Sequence, residues 1–248
     1  MNPINGHAGE TRSVLHRKYL LHTPDAFVRT PMPEITNGVA IIHAAPRLGA
    51  AFLQYTAEIE TGGSLAPVQT QRFVWILSGE ITLELQAESH LLSPGAYAYL
   101  PAGSDAAITA KSAATLAVIE KTYEPLPGVA APAAFVGREE AIAAVALGGD
   151  TQLMVRSLLP STPACDFAVN TMTYVPGAAL AQVEIHVMEH GLVMLEGAGT
   201  QLLGDLRYET QAGDFIWMAP FCPQWFVATS EVPAKYLIYK DWNRRPKL

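Results

Sequence analysis

The chain has 248 residues, half of them hydrophobic and 16% charged, with a formal net charge of −7. So apolar a chain of this length buries a substantial core in one large or two ordinary domains, which excludes a mainly disordered protein. The acidic balance, with short basic clusters only at His16-Arg17-Lys18 and at Arg244-Arg245 with Lys247, argues against a dedicated nucleic-acid binder.

In chain order, the first stretch up to about residue 40 reads as an arm with extra strands, broken by a turn at Thr23-Pro24-Asp25. Phe73 to Leu85 (FVWILSGEITLEL) and Leu91 to Ser104 (LLSPGAYAYLPAGS) are short β-branched and aromatic runs closed by Gly, Pro or Ser, the signature of strands. From Pro125 to Gly149 the pattern breaks at PLPGVAAPAAF; within it Arg138 to Leu147 (REEAIAAVAL), acidic at its start and Ala-rich, is the one helical candidate. Strand-like runs then resume at Gly191 to Leu203 (GLVMLEGAGTQLL) and Thr210 to Cys222 (TQAGDFIWMAPFC).

Gly79 and Gly197 lie 118 residues apart, and so do Gly95 and Gly213. Repeated spacing of turn residues points to one unit present twice. Many short strands bounded by turns give an all-β sandwich or barrel with few short helices. The expected division is residues 1–135, an N-terminal arm and first barrel, and residues 136–248, a linker helix and second barrel. Cys165 and Cys222 form no CxxC pair, and no long apolar run or signal-like start is present. These features fit a soluble protein of a reducing compartment, most simply the cytoplasm.

The densest chemistry sits in QVEIHVMEHGLVMLEG, where Glu184, His186 and His190 are joined at a distance by Gln224. On a strand, residues two apart share a face, so Glu184 and His186 point the same way. A straight strand would carry His190 ~13 Å further, whereas donors to one ion converge within ~2.2 Å of it. The chain must therefore turn between Val187 and Glu189. Two imidazoles, a carboxylate and an amide oxygen suit Mn(II) or Fe(II), the hard amide leaning towards manganese.

Two other readings compete. His186-Val-Met-Glu189-His190 also matches the HxxEH pattern of metallopeptidases, which needs a helix that the β-branched flanks and Gly191 disfavour. Alternatively the histidines are ordinary core or surface residues and Glu184 is solvated. In the first half the positions 118 residues earlier are Ala66, Val68, Arg72 and Ala106, which are not an equivalent donor set, so only the second half carries the site.

These paired Gly-bounded units, with ExHxxxH and a late Gln, resemble the cupin superfamily and specifically a bicupin. LHTPDAF, APRLGAAF, VWILSGEIT and IYKDWNR extend the resemblance over nearly the whole chain, to the (S)-ureidoglycine aminohydrolase family. The resemblance implies two tandem double-stranded β-helix (jelly-roll) barrels and a manganese hydrolase releasing ammonia from ureidoglycine. It implies metal ligands at Glu184, His186, His190 and Gln224, with Tyr236 and Lys240 contacting substrate.

Strand alternation puts Tyr236, Ile238 and Lys240 on one face; the plain alternative for Lys240 is a lysine snorkelling at a strand end, as Lys121 does in the first half's IEK. Glu184 is the expected proton shuttle, with Lys240 and Tyr236 beside it. Gln201, where the family is expected to carry a Tyr, joins the candidate substrate contacts with Gln224. The competing functions are an Fe(II) cupin oxygenase or isomerase and a non-enzymatic small-molecule binder. Expected partners are a small substrate and further copies of the chain in a homo-oligomer, with no nucleic acid and no membrane.

Overall fold

The computed structural model describes residues 11–244, so Arg245 and Lys247 of the basic cluster lie outside the described residues. Among the described residues the regular elements are strands plus three single turns of 3-10 helix, at Pro24–Ala26, Pro46–Leu48 and Glu139–Ala141. The protein is all-β, as expected. The described residues form two compact units: Val28–Ala143 with Ser157–Ala168, and 11–27 with Ala144–Arg156 and 169–244.

The first of these is built on one antiparallel sheet whose centre runs Phe135–Arg138, Ala96–Leu100, Gln71–Ser78, Ala114–Lys121, Leu53–Leu65. Val74, Ile76, Ala98, Leu116 and Val118 face its core. Alternate residues are buried too: Tyr97 stacks on Phe73 and Trp75, with centroids 5.6 and 6.3 Å away. Burial on both faces is why Ala96–Leu100 reads as a continuous apolar run instead of alternating.

The other unit encloses its core between two antiparallel sheets. The larger, among the described residues, runs Val14–His16, Tyr19–His22, Phe215–Met218, His190–Glu196, Ala234–Lys240, Ala168–Tyr174, Asp150–Ser157, Val145–Leu147. The smaller runs Leu206–Gln211, Ala198–Leu203, Gln224–Ala228. Leu192, Met194, Ile216 and Ile238 of the larger sheet meet Leu203 and Phe226 of the smaller one, each such side chain contributing roughly 1.5–3 kcal/mol by burial.

The repeated glycines are turn residues in both units. Gly79 and Gly197 adopt φ of 74° and 69°, and Gly95 and Gly213 φ of 80° and 94°. A Cβ on Gly79 would stand 2.2 Å from the Ala113 carbonyl oxygen, and one on Gly197 2.6 Å from that of Pro233.

One expectation is corrected. Arg138 to Leu147 is not a helix: one 3-10 turn at Glu139–Ala141 gives way to the strand Val145–Leu147, paired with Asp150–Ser157. The Ala-rich propensity is worth a few tenths of a kcal/mol per residue, and edge pairing on an existing sheet outweighs it. The continuous halves 1–135 and 136–248 also differ from the compact units. Tyr19–His22 pairs with Phe215–Met218, which joins the start of the chain to its late strands, and 157–168 belongs with the early strands.

Candidate functional site

Glu184 and Gln224 lie directly opposite each other, each backbone N–H donating to the other's carbonyl at 2.8 and 3.0 Å. After His186 the chain bends at Val187 and re-enters a strand at His190. This is the reversal that converging donors demand. The bend is tied at both ends: the Phe221 N–H donates to the His186 carbonyl at 2.8 Å, and the Glu189 N–H to Asp241 Oδ1 at 2.7 Å.

The other three predicted donors stand around the His186 imidazole. His186 Nε2 lies 2.7 Å from the Gln224 side-chain amide, 3.4 Å from His190 Nε2 and 3.7 Å from Glu184 Oε2. His190 Nδ1 meets the Tyr239 carbonyl at 3.2 Å. A carbonyl only accepts, so Nδ1 carries the proton and Nε2 turns its lone pair towards His186. Burial, reinforced by the Lys240 and His186 charges, pulls the His190 pKa from 6.5 down to about 3, which keeps this imidazole a neutral donor. The described residues hold no group of three His, Cys, Asp or Glu set to grip an ion; the converging set has the amide of Gln224 as a member.

A cavity of ≈ 180 Å³ is lined by all four donors together with Tyr236, Lys240 and Gln201. Tyr236 and Lys240 reach it from alternate positions of the strand Ala234–Lys240. Burial lowers the Lys240 pKa, and the Glu184 charge acts in the opposite sense. Burial raises that of Tyr236. Gln201 is 3% exposed; its Nε2 donates to the Leu202 carbonyl at 3.4 Å and its Oε1 has no partner.

Glu189, the base that the metallopeptidase reading needs, does not line this cavity. It is buried, with its Oε1 accepting the Trp217 Nε1 proton at 2.7 Å. That reading is excluded by the fold.

Sequence reasoning missed Tyr174. Its hydroxyl lies 2.6 Å from that of Tyr236, behind the cavity wall. A tyrosine in an apolar strand carries no signal of this kind.

The first half explains its own lack of ligands. Arg72, at the position corresponding to His190, is 1% exposed and donates from Nε to Glu120 Oε1 at 2.9 Å and from Nη1 to the Ala66 carbonyl at 2.7 Å. Strand register pairs Arg72 with Glu120 as it pairs His190 with Lys240, so Glu120 and not Lys121 is the counterpart of Lys240. Lys121 instead binds Asp166 at 2.7 Å.

Residues 48–123 match the EutQ-like cupin domain family. Over 241 residues, 96% of this chain and 80% of the relative, the sequence is 38% identical to the (S)-ureidoglycine aminohydrolase of Arabidopsis thaliana. It is 28% identical to the enzyme of the same name from Escherichia coli, over 93% of this chain and 91% of that one. The crystal structure of the protein Ylba from E. coli superimposes with a TM-score of 0.85 at 26% identity, covering 96% of this chain and 97% of that one. The chain is a cupin protein and belongs to the (S)-ureidoglycine aminohydrolase family, whose members are enzymes acting on C–N bonds.

Proposed function

We propose that this chain hydrolyses (S)-ureidoglycine to (S)-ureidoglycolate and ammonia, with Mn(II) as its metal. The observation that carries the reading is that Glu184, His186, His190 and Gln224 line one small cavity together with Lys240, in a chain of this family. The donor set fits a divalent ion: two imidazole Nε2 atoms face each other at 3.4 Å, and the lone pair of one is fixed by the Tyr239 carbonyl. A lone pair so placed calls for a proton or a cation between the two nitrogens, and His, carboxylate and amide oxygen suit a first-row divalent ion. Glu184, His186, His190 and Gln224 would hold it, and the bound ion would supply Lewis-acid polarisation and orientation of the substrate.

The protein groups divide the remaining work. Lys240, half-buried in the cavity wall, pairs its ammonium with the substrate carboxylate. Tyr236 donates a hydrogen bond to the substrate. Glu184, part-exposed beside the donors, accepts a proton from the attacking water and returns one to the departing amine, so that the substrate C–N bond breaks, a C–O bond forms and ammonia leaves. Gln201 holds a polar edge of the substrate. The low-dielectric walls, which include Phe226 and Ile238, strengthen each of these contacts.

We assign the chain to the cytoplasm and to a homo-oligomer of small-molecule specificity. Both cysteines are free and buried, which suits a reducing compartment, and among the described residues no helix is long and apolar enough to cross a membrane. Ammonia release from freshly prepared ureidoglycine, measured on protein stripped and reloaded with Mn(II) or Fe(II), tests the reaction and the metal together. Release above the spontaneous rate with Mn(II) is the expected result. Oxygen uptake with Fe(II) and no ammonia would overturn the reading.

A further inference from the structure

We infer that Tyr174 is the positioning residue of this site: it donates its only proton to the Tyr236 oxygen and thereby aims the Tyr236 proton into the cavity. Tyr174 is wholly buried and does not line the cavity, whereas Tyr236 does. The one hydrogen-bond partner given to the Tyr174 hydroxyl among the described residues is Tyr236, 2.6 Å away. A sealed phenol must place its proton on an acceptor or forfeit about 1–3 kcal/mol, and here the acceptor is the Tyr236 oxygen. Tyr236, open to the cavity, has an alternative direction for its own proton and Tyr174 has none.

The rings are held, so the hydroxyl rotor is the freedom that remains. Phe226 packs edge-on against both, with centroids 4.9 Å from Tyr174 and 5.7 Å from Tyr236. A phenol O–H prefers the plane of its ring, which gives two orientations. Donation from Tyr174 closes the one that points at Tyr174. Tyr174 thus acts on substrate only through Tyr236, and it fixes which way that hydroxyl faces before any ligand arrives.

The inference deepens the proposed function and rests on it for its kinetics alone. Its first test needs no substrate: isotope-edited infrared spectroscopy of the full chain carrying Cζ-labelled tyrosine, with Y236F identifying the Tyr236 C–O band. The expected wild-type band is that of a phenol accepting a hydrogen bond, and Y174F shifts it as loss of an accepted bond does. A shift as for a lost donated bond, or none, overturns the inference. Y174F keeps the ring that packs on Phe226, and the wild-type band position decides the direction of donation even if that variant fails to fold.

The second test is a double-mutant cycle in ammonia release. Y174F lowers kcat about tenfold with KM little changed in the wild-type background, and by less than about twofold when Tyr236 is already Phe. Equal losses in both backgrounds would make Tyr174 a structural residue and sink the inference. A wild-type chain that releases no ammonia would refute the proposed reaction instead, and the infrared result would still decide the direction of the bond.

Discussion

Arg72 and His190 occupy the same register position in the two repeated units: Arg72 stands opposite Glu120, and His190 opposite Lys240. In the first half the cation is part of the chain. The guanidinium meets the Glu120 carboxylate, which also accepts the Tyr55 hydroxyl at 2.8 Å. In the second half the paired strand ends carry a neutral imidazole and an ammonium, so the carboxylate and the cation come partly from elsewhere. Replacing Arg72 by Leu strips a buried carboxylate of its partner, which costs about 3–5 kcal/mol. The expected outcome is a clearly lowered thermal midpoint with ammonia release per folded molecule unchanged. An unaltered midpoint would show that Glu120 is not held as a buried ion.

The glycine repeat makes a sharper stability prediction. Gly79→Ala places a methyl group against the Ala113 backbone in a left-handed residue, whereas Gly95→Ala, at a similar φ, meets nothing within 4 Å. Left-handed strain costs roughly 1–2 kcal/mol in either case. The backbone clash adds to Gly79 alone, so its variant melts well below that of Gly95. Equal midpoints would mean that the 79–114 approach relaxes freely.

What could be read from the sequence divides along physical lines. Glycines at positive φ and metal-type donors leave residue-specific marks, so the duplicated unit, the candidate site and the reversal between His186 and His190 are legible in it. Pairing between distant strands leaves no such mark. Nothing in Tyr19–His22 says that it adds to Phe215–Met218, and the weak helix propensity of Arg138 to Leu147 gave no warning of an edge strand. Lys121 looked like the twin of Lys240 because a small register change between the halves moves the counting by residues, which only the pairing of Arg72 with Glu120 reveals. Tyr174 is, by composition, an ordinary core residue; its role comes from a neighbour 62 positions away.

The two glutamates of the ligand segment separate the hydrolase site from the peptidase pattern. Glu184→Gln removes the charge beside the donors and is expected to cost at least about 100-fold in ammonia release, the usual scale for losing a general acid–base group. It also weakens metal retention, measured by elemental analysis after dialysis. Glu189→Gln keeps an oxygen to accept the Trp217 proton and changes activity less than about twofold, with a modest loss of stability. A large loss from Glu189→Gln and none from Glu184→Gln would reverse the assignment.

Lys240 offers a test by binding and chemistry apart. Lys240→Met keeps the aliphatic volume and removes the ammonium proposed to pair with the substrate carboxylate. Loss of one partner of a buried charge pair is worth about 2–5 kcal/mol, so kcat/KM falls between about 30-fold and several thousand-fold, while the Mn(II) content holds, since no ligand is removed. Substrate analogues lacking the carboxylate lose little further in the variant. If they lose as much as ureidoglycine does, the lysine serves another purpose.

The acid limb of stability follows from His190. Its folded pKa of about 3 lies below the ordinary 6.5, first through burial and then through the Lys240 and His186 charges. Between those values the unfolded chain binds a proton that the folded chain refuses. Metal-free protein therefore loses stability as pH falls from about 6.5 towards 3, by up to about 1.4 kcal/mol per pH unit from this group alone. Above about pH 8 both states leave the imidazole neutral and the group contributes no further pH dependence. Denaturation of chelator-treated wild type and His190→Gln at pH 7.5, 6.5 and 5.5 isolates the contribution, because the other titrating groups are common to both chains. The wild type should lose about 1 kcal/mol more stability than the variant between 6.5 and 5.5, and only about a third of that excess between 7.5 and 6.5. Parallel curves across all three values would show that the buried imidazole takes up its proton in the folded state.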